Sequence, residues 1–162
     1  MIMQRHLTEL LEWYCDEIAG EAFFLALAKS AEAPGRAAKW QTLARLEQHV
    51  AGRLQSELKA RGVALPPAEI DIRRGQYSAL EYADLPWREA LERLRPALDG
   101  YVRDFQAAES RMPVDLMPLA QFVTAHERAL LDFVTLELEG SDRHSLDGIL
   151  HLLGEMSRDT PR

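Results

Sequence analysis

The sequence predicts an all-α protein: a four-helix bundle with a long second-to-third helix crossover and an extra short C-terminal helix. Three observations predict it. Apolar residues recur at steps of three and four almost throughout, no period-two alternation marks a strand, and Pro and Gly cut the chain into segments of helical length.

The first helix covers about residues 6–31, where Leu7, Leu10, Leu11, Tyr14, Ile18, Glu21, Ala22, Leu25 and Ala28 form one stripe, and Pro34-Gly35 stops it. The second covers about 36–61, with Trp40, Leu43, Glu47, Val50, Leu54 and Leu58 in register, and ends at Gly62 and Pro66-Pro67. Each spans about 25 residues, or about 37 Å. Residues 62–85 break the rhythm with two prolines, Gly75 and the charged run Asp71-Ile72-Arg73-Arg74, as a crossover between bundle ends would. The third helix covers about 86–110 on Leu91, Leu94, Leu98, Tyr101, Phe105 and Ala108, with Pro96 expected to kink or split it. Asp115 is the expected N-cap of the fourth, which carries Leu116, Leu119, Ala120, Val123, Glu127, Leu130 and Val134 and stops at Gly140. A fifth, about 145–156, buries Leu146, Ile149, Leu150 and Leu153.

The 162 residues fit one domain, with a core bundle over about 6–140. Nineteen Lys+Arg against 26 Asp+Glu give a net charge of −7, which argues against nucleic acid as a partner. No run approaches the roughly 20 apolar residues a membrane span needs. The N-terminus lacks a signal-like apolar core, and the single cysteine, Cys15, precludes an internal disulfide, so the expected location is the cytoplasm.

Glutamate replaces leucine on three stripes. Glu47 lies between Leu43 and Val50, Glu127 between Val123 and Leu130, and Glu21 between Ile18 and Leu25, with Glu17 one turn earlier. Each sits near the middle of its helix, so side-by-side packing brings them to one layer, with Tyr101 expected beside them. Burying unpaired carboxylates costs several kcal/mol apiece, so a cation or protons must compensate them. Carboxylates alone suit hard ions such as iron or manganese.

Here the chain resembles the ferritin-like superfamily, in particular rubrerythrin-type di-iron carboxylate proteins. Gly20-Glu21 matches the Gly-Glu of the first family helix, while Glu47 and Glu127 match the acids of the two Glu-x-x-His motifs. Val50 and Leu130 occupy the histidine positions and Tyr101 replaces a glutamate, so three of six ligands survive. The resemblance implies metal ligands Glu21, Glu47 and Glu127, with iron or manganese reducing dioxygen or peroxide; Glu17, Tyr14, Tyr101 and His126 stand next to them. His49 points about 200° from Glu47 on an unbroken helix and is no ligand. His126 is about 100° from Glu127 and suits a supporting hydrogen bond.

The opposing expectation is a non-catalytic bundle whose glutamates are protonated and hydrogen-bonded to one another and to Tyr14 or Tyr101. Its work would be association, as a homodimer, through Phe23, Leu27, Leu136 and Leu138. Elsewhere His144, Asp147, His151 and Glu155 read as a solvated polar face, Cys15 as a passive thiol, and Trp13, Trp40 and Trp87 as packing residues.

Overall fold

The computed structural model describes residues 4–154, and over these the chain is all-helical, with six α-helices, two short 3-10 turns and no strand. No helix among the described residues is long and apolar enough to cross a membrane. The chain divides into two compact units, Met1–Asp84 with Arg111–Val114, and Leu85–Ser110 with Asp115–Arg162.

The first unit holds α1 (Arg5–Ser30), α2 (Pro34–Ala60) and α3 (Glu69–Ala79). Pro34 opens α2 instead of merely closing α1, because a first-turn residue has no intrahelical N–H bond to lose. Gly62, at φ +75°, ends α2. The Val63 N–H donates to the Leu58 carbonyl at 2.9 Å and the Gly62 N–H to that of Lys59 at 3.0 Å, which satisfies two carbonyls of the last turn. Leu10, Leu43, Leu46, Val50, Leu54 and Leu58 are wholly buried, and Phe24 stacks on Trp40 at 5.8 Å.

Helix α3 lies inside the stretch expected to be an irregular crossover. Glu69 and Asp71 favour its first turn, where the helix dipole attracts negative charge. Its inward face is small, with only Gly75 and Ala79 buried, while Ile70, Ile72, Tyr77 and Leu80 are exposed. Gly75, which with the two prolines and the charged run read as a break in the helical rhythm, lies inside this helix. In fact Gly75 permits close packing: a Cβ there would lie 2.0 Å from the Ala19 carbonyl oxygen. Arg74 ties the same edge together, donating to Asp16 at 3.0 Å and Asp71 at 3.1 Å.

The apolar face of α1 is rotated from the one expected. Leu25, placed on the core stripe, is 48% exposed, whereas Leu27, expected to meet a partner, is buried. Phe23 packs edge-on against Tyr82 at 5.2 Å within the unit.

The second unit pairs α4 (Trp87–Glu109) with α5 (Met117–Leu138) and adds α6 (Asp147–Leu152). Pro96 does not split α4, which runs through it as one helix. Val102, not Tyr101, continues the buried stripe of α4. Asp115 is not an N-cap but part of a 3-10 turn, Val114–Leu116, that leads into α5, where Pro118 occupies the first turn. Gly140, at φ +82°, closes α5 with the same pair of bonds seen at Gly62, Ser141 N–H to Leu136 carbonyl and Gly140 N–H to Glu137 carbonyl. The expected fifth helix is shorter at both ends, since Ser145 and Leu146 form a turn and the helix runs only over Asp147–Leu152; Ile149 is its buried anchor, and Glu155 and Met156 lie outside the described residues.

Candidate metal centre

In the first unit, α1 supplies Tyr14, Glu17 and Glu21 at successive turns, and α2 supplies Glu47. Two of these acids are deeply buried: Glu17 is 2% exposed and Glu47 5%. One carboxylate oxygen of each lies within 4.8 Å of the other, close enough for one cation to touch both.

The close approach depends on Gly20. A Cβ at that position would lie 2.5 Å from Glu47 Oε1 and 3.0 Å from its Cδ. The Glu47 carboxylate thus rests against the backbone of α1 where a side chain is missing, between the turns that carry Glu17 and Glu21. Glu21 is half-buried, and its carboxyl is held above its ordinary range first by burial and then by the Glu47 charge. Burial likewise raises the Tyr14 phenol, with Cys15 and Asp71 adding to the shift. At neutral pH the Tyr14 phenol therefore keeps its proton.

Cys15 borders this region. Burial and a hydrogen bond to Asp71 push its thiol to about 11, so it is a poor nucleophile at neutral pH, as its sequence neighbours suggest.

In the second unit, α5 buries His126 completely and leaves Glu127 5% exposed. Adjacent helical residues point about 100° apart, and both are covered because α5 buries a broad arc that includes Val123, Ala129, Leu130 and Phe133. His126 Nδ1 lies 2.5 Å from the Val123 carbonyl oxygen. A carbonyl only accepts, so Nδ1 carries the proton. His126 Nε2 lies 3.5 Å from Glu127 Oε1, and the Phe105 ring flanks the imidazole at 6.4 Å. Tyr101, expected next to the buried acids, is 45% exposed and stacks on Phe105 at 6.3 Å.

The residues fit a hard cation in their chemistry. Two buried carboxylates within reach of each other, with a third on the next turn of α1, are the oxygen donors that a hard cation accepts. Val50 is wholly buried where the ferritin-like pattern has histidine on α2, and Leu130 likewise on α5. Sequence reasoning placed Glu17 next to the ligands; its burial and its reach to Glu47 make it a ligand candidate itself. A sequence signal existed, since Glu17 and Glu21 are one turn apart, but the Gly20-Glu21 pair favoured Glu21. His49 is exposed, as its helical angle requires.

Neither a protein-family model, nor a curated protein, nor a solved structure matches this chain.

Proposed function

We propose that this chain is a metal-binding protein of ferritin-like organisation whose buried carboxylates hold iron or manganese. One observation carries the reading: the Glu47 carboxylate is packed against α1 at Gly20 with a Glu17 oxygen within 4.8 Å, and both acids are buried. Two anions so placed repel each other in a medium that screens poorly, and a divalent ion removes both the repulsion and the desolvation cost. Glu17, Glu21 and Glu47, all in the first unit, are the donors.

If bound there, iron or manganese would supply the reduction of dioxygen or peroxide that the ferritin-like resemblance implies. The chain's own contribution is to hold the donors rigidly on helices, exclude water from Glu17 and Glu47, and keep a proton on Tyr14. Metal analysis of protein purified from iron- and manganese-supplemented cells tests the proposal. Near-stoichiometric metal that falls to background in Glu47→Ala is the expected result, and metal-free wild-type protein rejects it.

A second reading, self-association of a non-catalytic protein, has its own support. Leu25, Ile72 and Leu80 are exposed along a groove of about 590 Å³ between α1 and α3, and Ile70 and Tyr77 are exposed on the same helix. A dimer built there would fall apart on Leu80→Glu, which light scattering would detect as a halved mass.

A further inference from the structure

We propose that the groove between α1 and α3 docks on the same groove of a second copy, with the two α1 helices antiparallel about a two-fold axis at Leu25. Apolar exposure locates the surface. Seven large apolar residues are exposed among the described residues, and five of them, Leu25, Ile70, Ile72, Tyr77 and Leu80, lie on α1 or α3. Leu25, Ile72 and Leu80 line one groove of about 590 Å³, which belongs wholly to the first unit. An exposed apolar face of this kind marks a surface that another apolar surface covers.

Charge names the occupant. Glu21 and Lys29 line the same groove on either side of Leu25, each four residues from it. At about 100° per residue, four residues return within about 40° of the starting direction, so the three side chains share one face of α1. Along that face an acid, an apolar residue and a base follow one another at steps of about 6 Å. The pattern is complementary to its own reverse. In an antiparallel pair centred on Leu25, Glu21 of one copy faces Lys29 of the partner subunit, and by symmetry Lys29 faces the partner subunit's Glu21. A parallel pair sets acid on acid and base on base, so the charges also select against it. Burial, with the Glu47 charge behind it, holds the Glu21 carboxyl above its ordinary range, and a nearby ammonium relieves that cost.

This inference rests on the self-association reading and adds its register; it does not depend on metal at Glu17 and Glu47. The test is sedimentation of the intact protein after chelation, which frees Glu21 of any ion, with circular dichroism to check that each variant keeps its helices. The wild type is expected to sediment as a dimer. Glu21→Lys and Lys29→Glu each set like charges together twice, and each should weaken the dimer at least about tenfold. An equimolar mixture of the two variants should recover a mixed dimer, because every acid then faces a base again. General damage to the fold cannot produce that rescue. Single variants that dimerise like the wild type, or a mixture that stays monomeric, overturn the register and leave self-association itself standing. A monomeric wild type overturns both, and the groove then belongs to a different partner.

Discussion

The two units bury ionisable groups in opposite ways. The first gathers like charges: Glu17, Glu21 and Glu47 lie on two neighbouring helices, and the burial of Glu21 together with the Glu47 charge resists its ionisation. The second buries unlike groups: an imidazole and a carboxylate side by side, with the imidazole anchored to the Val123 carbonyl. Unlike groups can share a proton, whereas like charges repel each other where screening is poor. Removing one member should therefore have opposite signs in the two units when no metal is present.

The largest effect is expected from His126→Leu. It removes the imidazole beside the buried Glu127 carboxylate, and breaking a buried pair of this kind costs about 3 kcal/mol. Chemical denaturation at neutral pH after chelation should show that loss. Gly75→Ala comes next, because its Cβ would meet backbone, the Ala19 carbonyl, and not a side chain that can turn aside. Pushing α3 away from α1 should cost about 2 kcal/mol by the same assay. Gly148→Ala is the control, since its Cβ would make an ordinary 3.7 Å contact with Ala129.

Glu47→Leu should go the other way and raise the stability of the metal-free protein by about 1 kcal/mol, as replacement of buried charge by packed apolar groups often does. Loss of stability in that variant would mean that the acids of the first unit already compensate one another, and the contrast between the units would disappear. Glu21→Gln should show a smaller, pH-dependent gain. The folded Glu21 carboxyl has a higher pKa than its ordinary 4.5, so folding takes up a proton. Stability is present below pH 4.5 and is lost as pH rises through the folded value. The variant should therefore melt above the wild type at pH 7 and together with it near pH 4.

Much of the fold was legible because punctuation and core periodicity agree. Gly62 and Gly140 end helices through the left-handed turn that glycine adopts readily, and Leu43, Val50, Leu54, Val123, Leu130 and Val134 face inward as their spacing requires. Helix α3 was not legible, because its contact with α1 rests on a missing side chain and its larger apolar residues point to solvent. The exchange of Leu25 for Leu27, and of Tyr101 for Val102, has one physical origin. Rotating a helix about its axis moves a stripe from core to surface, and propensity alone does not fix that rotation. At the site, the interruption of apolar stripes by Glu47 and Glu127 was visible. The lock on His126 was not, since a main-chain carbonyl three residues earlier leaves no mark in residue types.

The most direct test is the melting temperature of chelated wild-type protein and of Glu47→Ala as Mn2+ is added back. An ion that binds the folded state between Glu17 and Glu47 stabilises it with every increase in free metal above its dissociation constant, by about 2.7 kcal/mol at a hundredfold excess. The predicted result is a steady rise in the wild type and a flat line in Glu47→Ala. A flat line in both would contradict the account, because the acids of the first unit would then be compensated by protons alone.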